Sequence, residues 1–157
     1  THTFVEENEL KVTVPDLSDK NVRKALKTHP MWQEYNSRCI SCGACTVACS
    51  TCTCFTTRDV IYGDNLEVGE RRRVTASCQI AGFDQMAGQK EFRSTAAERM
   101  RYKVLHKFHD YKARFGQEHM CVGCGRCTHR CHEFISISAT VNKVSAAVDE
   151  IRAALDR

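Results

Sequence analysis

Long apolar runs are missing from this sequence. Nowhere do its 157 residues approach the roughly 20 consecutive apolar positions that span a bilayer, so no membrane partner is expected. A charged n-region leading into an apolar h-region is also missing, so no secretory leader is read and a cytoplasmic location is expected. No G-x-G-x-x-G, Walker or H-E-x-x-H pattern occurs, and no Ser-His-Asp arrangement can be nominated. The chain therefore offers no visible place for a nicotinamide, a flavin or a substrate. There is no low-complexity tract, and 42% hydrophobic with 27% charged residues is not a disordered composition. Net charge is small, +4 from 23 basic and 19 acidic side chains. Eight thiolates around two cubane cores of roughly +2 each would cancel even that, so no nucleic-acid partner is expected. The first residue is Thr1, not Met, and the chain reads as a processed protein or a piece of a longer one.

Cysteine is what the sequence has in excess, 11 residues or about 7%. Eight of them form an internal repeat. Cys39-Ile-Ser-Cys42-Gly-Ala-Cys45-Thr-Val-Ala-Cys49 is matched by Cys121-Val-Gly-Cys124-Gly-Arg-Cys127-Thr-His-Arg-Cys131. Both copies read C-x2-C-x2-C-x3-C, with Gly after the second Cys and Thr after the third. At this cysteine content, three further cysteines at fixed offsets arise by chance roughly 3 times in 10,000 per starting Cys, so two matched copies are not accidental. The glycines, Gly43 and Gly125, permit a positive φ and a close backbone approach. The fourth Cys lies about one helical turn past the third, and in two-cluster ferredoxins it ligates the other cluster. Zinc sites are usually built from two well-separated C-x2-C pairs, and disulfides require an oxidising compartment. The expected cofactors are therefore two 4Fe–4S clusters. One would sit on Cys39, Cys42, Cys45 and Cys131, and the other on Cys121, Cys124, Cys127 and Cys49.

Three cysteines lie outside the repeat. Cys52 and Cys54 follow the first copy directly, and a β-hairpin over Phe55–Tyr62 and Glu67–Ala76 would return Cys78 to its base. Three readings stay open. The first is a third cluster whose fourth ligand comes from Asp, Glu, His or another polypeptide of a complex. The second is a structural zinc, and the third is buried thiols packing as small hydrophobes. The iron–sulfur signature usually has Pro after its fourth Cys; Ser50 and His132 stand there instead. Each regains a backbone N–H that could bond a sulfur, and His132 reads as a turn residue. Arg71-Arg72-Arg73 reads as a solvated or docking face.

The remaining elements follow from periodicity. Glu9 to Val14 alternates as a short strand and Pro15 ends it. Ser18 is placed as the N-cap of a helix burying Val22, Ala25 and Leu26, interrupted at Pro30. Met31–Tyr35 is read as a further turn, with Trp32 and Tyr35 in the core near the first cluster. Thr95 and Glu98 form a capping-box pattern. Ala97, Met100, Val104, Phe108, Tyr111 and Phe115 then define a helix of about five turns that stops at Gly116. Lys103, His106, Lys107 and Lys112 fall on what reads as its solvated side. A last helix, 140–155, would bury Val141, Val144, Val148, Ile151 and Leu155. The fold class expected is mainly α: an α-helical ferredoxin-like two-cluster domain over 37–157, with an insertion at 55–95 carrying the hairpin. Residues 1–36 would be a strand and helix lead-in, the end of a larger N-terminal region.

Four stretches, CISCGACTVACSTCTCF (39–55), GERRRVTASCQIAG (69–82), MRYKVLH (100–106) and MCVGCGRCTHRC (120–131), resemble the iron–sulfur electron-transfer component of anaerobic sulfite reductase. The cysteine blocks are also similar to the beta subunit of cytosolic sulfhydrogenases. The resemblance covers roughly 31–145. It implies an electron-transfer subunit of an oxidoreductase complex, a hetero-oligomer in which a flavin subunit oxidising NADH supplies electrons and a sirohaem subunit reduces sulfite to sulfide. The equivalent relay of a nickel–iron hydrogenase is the alternative, and a zinc-binding interaction module is the reading from another class. Members of this family are longer at the N-terminus and carry cysteines at the positions of Cys52, Cys54 and Cys78, which implies a further metal site there. They carry Pro at the positions of Ser50 and His132.

Overall fold

Asp19, not Ser18, starts the first helix. Its carboxylate accepts the Asn21 N–H at 2.7 Å, and α1 runs over Lys20–Lys27; Ser18 instead bonds back to Asp16. The computed structural model describes residues 11–63 and 66–156. The strand expected over 9–14 therefore lies partly outside the described residues, and 11–14 carry no regular structure. Asn142 holds that segment, accepting from the Thr13 N–H and donating to the Lys11 carbonyl.

After α1, Pro30 opens a 3-10 turn, Pro30–Trp32, as its fixed φ and missing N–H favour at a first helical position. α2 (Glu34–Arg38) leads into the first cysteine loop, and α3 (Ala44–Val47) lies within it. β1 (Phe55–Tyr62) and β2 (Val68–Thr75) pair antiparallel, Phe55 opposite Thr75 and Tyr62 opposite Val68. Both strands are exposed almost throughout, so the inserted hairpin is held by its ladder rather than by a buried face.

α4 (Ala96–Leu105) begins on the capping box that Thr95 and Glu98 predict. The helix continues through a π turn, His106–Asp110, into α5 (Tyr111–Phe115), where Gly116 ends it at φ 69°. The extra residue of the π turn rotates the stripe. Ala97, Met100, Val104 and Phe108 are buried as expected, but Phe115 leaves the core and is exposed. α6 (Arg126–His129) lies in the second cysteine loop, and α7 (Ile137–Leu155) closes the chain from the cap at Ser136. Leu155, expected inside, is exposed because the core ends at Ile151.

One apolar core joins these pieces: Val22 and Leu26 of α1, Trp32, Tyr35 of α2, Met100 and Val104 of α4, and Val144 and Val148 of α7. Each such side chain stabilises by about 1.5–3 kcal/mol on burial. Its polar atoms are satisfied. The Trp32 indole donates to the Leu26 carbonyl at 2.8 Å, and the Tyr35 hydroxyl donates to Thr140 at 2.9 Å. Burial pushes the Tyr35 phenol up to about 12. Cys39, Cys121 and Cys131 pack against this core, so it is the platform on which both cysteine loops rest.

Candidate metal centres

Each copy of the repeat turns through two positive-φ residues around its second cysteine. Gly43 and Gly125 stand at φ 76° and 71° as the N-caps of α3 and α6. Ser41 and Gly123, just before those cysteines, stand at 57° and 68°. A non-glycine residue there carries strain of about 1–2 kcal/mol, and Ser41 is held in place by the Arg99 guanidinium, 2.9 Å from its hydroxyl. After the short helix the fourth cysteine bonds back: Cys49 N–H to the Thr46 carbonyl and Cys131 N–H to that of Thr128, both at 3.2 Å. α3 and α6 contact each other, so the two loops face one another.

That arrangement gathers the sulfurs by space rather than by sequence. Cys39, Cys42, Cys45, Cys127 and Cys131 line one cavity of about 30 Å³. Burial pushes the Cys39 thiol up, and the sulfurs of Cys45, Cys131 and Cys42 add to it. Cys127 is raised by burial too, with Cys121, Cys49 and Cys45 contributing and Lys103 opposing. Cys131 of the second copy thus shares the first copy's cavity, and the Cys49 sulfur of the first copy acts on Cys127 of the second. Cys42 and Cys124 are the exposed members of the two quartets.

The solvated side expected for the long helix is not solvated at Lys103 and Lys107. Both are only 4% exposed. Burial alone would depress both ammonium groups, but neighbouring sulfurs outweigh it: Cys45, Cys127 and Cys52 at Lys103, Cys52 and Cys49 at Lys107. The Lys107 ammonium donates to the Cys49 sulfur at 3.4 Å and to the Thr51 hydroxyl at 3.1 Å. Burial raises the Cys49 thiol, yet Thr51 and Lys107 bring it down to about 7. The π turn adds a second tie: the Lys107 carbonyl accepts the Met120 N–H at 2.8 Å, one residue before Cys121. The helical spacing from Met100 to Lys103 and Lys107 placed these lysines beside the apolar stripe, a signal in the sequence that polarity alone concealed.

The hairpin ladder extends to its base, where Ala76 N–H meets the Cys54 carbonyl at 3.1 Å. Cys54 and Cys78 are thereby hydrogen-bonded, which lowers Cys54 and raises Cys78. Cys52, Cys54 and Cys78 line a second cavity, about 210 Å³, together with His106, Lys103 and Lys107. Burial pushes the Cys52 thiol up to about 11 and holds the His106 imidazole below its ordinary value.

Other expected features fall at the surface. Arg71 pairs with Asp59 across the hairpin at 2.6 Å, Arg72 bonds Glu70 and Tyr62, and the Arg73 guanidinium lies over the Phe55 ring. His132 is exposed on the rim of the first cavity. Donors to the fourth cysteines come from further along than Ser50 and His132: the Thr51 hydroxyl lies 3.3 Å from the Cys49 sulfur, and the Ile135 N–H donates to Cys131 at 3.3 Å. No helix among the described residues is long and apolar enough to cross a membrane.

Lys107 and Thr51 bond the Cys49 sulfur and favour its thiolate, and Lys103 lies among the sulfurs of Cys45 and Cys127. Thiolates at neutral pH are the form that binds metal, so the donor set fits iron–sulfur clusters. Comparison with known proteins agrees. Residues 38–135 match the 4Fe-4S dicluster domain. Over 105 residues the chain is 35% identical to sulfhydrogenase 2 subunit beta of Pyrococcus furiosus (strain ATCC 43587 / DSM 3638 / JCM 8422 / Vc1), a match covering 66% of this chain but 30% of that protein. No solved structure matches. With the repeat, the facing loops and the matched residues in agreement, this chain belongs to the 4Fe-4S dicluster domain family.

Proposed function

We propose that the chain is an electron-relay subunit holding one 4Fe–4S cluster on Cys39, Cys42, Cys45 and Cys131 and another on Cys121, Cys124, Cys127 and Cys49. When bound, such clusters supply one-electron transfer at potentials tuned by hydrogen bonds to sulfur and by exposure. The observation that carries this reading is the pair of matching cysteine loops that meet through α3 and α6 within the stretch 38–135 that matches the 4Fe-4S dicluster domain. Lys103, reached by Cys45 of the first copy and Cys127 of the second, balances negative charge between the two quartets. Lys107 and Thr51 hold the Cys49 sulfur, and the Ile135 N–H holds that of Cys131. Core packing orients the loops, and Val122 and Phe134, 68% and 85% exposed, present apolar surface beside the second copy for a docking subunit.

Within a complex, a flavoprotein subunit that oxidises NADH delivers electrons to this chain, and a sirohaem subunit that reduces sulfite to sulfide takes them. The likeness to sulfhydrogenase 2 subunit beta supports a second reading, the same relay serving a cytosolic nickel–iron hydrogenase. Anaerobic purification of the native complex tests both. A brown chain that bleaches with dithionite is expected, and co-purifying sirohaem supports the sulfite reading while nickel supports the hydrogenase one. A colourless chain with stoichiometric zinc would overturn the relay.

A further inference from the structure

We infer that Arg99, which ligates nothing, is a positioning residue: it holds the first cysteine loop and raises the reduction potential of the cluster there more than that of the other. Its role presupposes the two-cluster reading and goes beyond it. Arg99 lies on α4 one turn before Lys103, so it shares the side of the helix that Lys103 turns toward Cys45. Two ties fix that turn. The Asn36 side chain of α2 accepts the Ala97 N–H at 2.9 Å, and the Gln79 amide, which also lines the first cavity, donates to the Arg99 carbonyl at 2.8 Å. From this base the guanidinium joins separate segments. One Nη donates to the Arg93 and Ser94 carbonyls, both at 3.0 Å, and the other donates at 2.9 Å to the hydroxyl of Ser41, between Cys39 and Cys42.

The two copies differ at this point. Gly123 is the counterpart of Ser41, and both stand at positive φ, 68° and 57°. Glycine adopts that conformation freely; serine is strained in it, and strain persists where the surroundings hold it. What Ser41 retains is a hydroxyl that receives Arg99, and Gly123 has no side chain to receive anything. Charge points the same way. Arg99 is 6% exposed, and none of the three groups accepting from it is charged. Its Nε is buried with no hydrogen-bond partner. A guanidinium stays charged in any surroundings, and a buried charge is costly unless compensated. Clamping a loop needs only donors, which a neutral amide could supply. Four thiolates around a core of roughly +2 are net negative, so a cluster on Cys39, Cys42, Cys45 and Cys131 provides the countercharge. Reduction adds a further negative charge, which the guanidinium favours.

Midpoint potentials are measured by EPR-monitored redox titration of the full chain purified anaerobically, the first cluster's signal being the one that Cys42→Ser alters. Arg99→Gln keeps an amide donor and removes the charge. It should make reduction of the first cluster about tenfold less favourable, a fall of about 59 mV for one electron, with a clearly smaller fall at the second. Arg99→Lys should restore most of the potential even where thermal unfolding shows lost stability. Ser41→Ala cuts the clamp and leaves the charge, so the first cluster should lose iron to a chelator severalfold faster while its potential stays close to that of the unaltered chain. An unchanged first potential in folded Arg99→Gln, or equal falls at both clusters, would overturn the charge effect. Should Arg99→Gln not fold, Ser41→Ala decides alone, and unaltered iron loss there would overturn the positioning role. A chain without iron would refute the two-cluster reading itself.

Discussion

The two copies of C-x2-C-x2-C-x3-C share a backbone and differ in what touches it. At Gly43 an added Cβ would stand 2.8 Å from the Ser77 hydroxyl oxygen and 2.9 Å from Ser77 Cβ, whereas at Gly125 the nearest neighbour is its own loop's His129 at 3.7 Å, and at Gly123 nothing lies within 4 Å. Thr46 of the first copy is buried; the second copy has no buried residue in its helix. Ser41 is clamped by Arg99 and Cys49 by Lys107, while the second loop is tied at its start through Met120. An identical motif therefore sits braced by the body in one case and open to a partner in the other. The repeat encodes the ligands, and the unrepeated residues decide which half is shielded.

The largest effect should come from breaking the feature both halves share. Lys103→Met leaves the sulfurs of Cys45 and Cys127 without their buried cation, a loss of about 3–5 kcal/mol on the usual scale for a broken buried pair. Thermal unfolding under anaerobic conditions reads it, and Lys103→Arg should recover part. Lower cluster potentials are also expected, measured by redox titration.

The next effect separates the halves. Gly43→Ala combines a left-handed φ with a Cβ placed against Ser77, about 2–5 kcal/mol in sum. Gly125→Ala meets the φ penalty alone, about 1–2 kcal/mol. Equal losses of stability in the two variants would erase the asymmetry.

Much of this was legible beforehand, and the exceptions have physical causes. Thr95 and Glu98 declare their helix because capping is local, and the hairpin register follows from strand length and turn. The π turn escaped because one extra residue still leaves apolar residues three or four apart, so Phe115 looked internal. Lys103 and Lys107 escaped because a polar residue reads as solvated until its partner is known, and that partner lies 50 or more residues away at Cys45 and Cys49 in sequence. The pairing of Cys54 with Cys78 was foreseeable from the hairpin, but the arrival of His106 at the same cavity depends on how the long helix crosses its base.

The smallest effect concerns the clamp between the two copies' flanks. Lys143 of α7 meets Glu34 of α2 at 2.6 Å. Partial burial raises the Glu34 carboxyl, but Lys143 outweighs it and holds it below the ordinary range. A carboxyl lowered in the folded state stabilises above its unfolded pKa and loses that contribution as pH falls through the folded one. Lys143→Met should therefore cost about 0.2–1 kcal/mol near neutrality and nothing once pH lies below both values. Denaturant titrations at the two pH values measure the difference.

Cys49→Ala tests most directly whether the quartets exchange their fourth ligands. EPR of the reduced, anaerobically prepared variant should show the cluster of Cys121, Cys124 and Cys127 lost or altered while that of Cys39, Cys42 and Cys45 remains intact. The reverse pattern would contradict the crossed assignment, and with it the reading of how these two loops face each other.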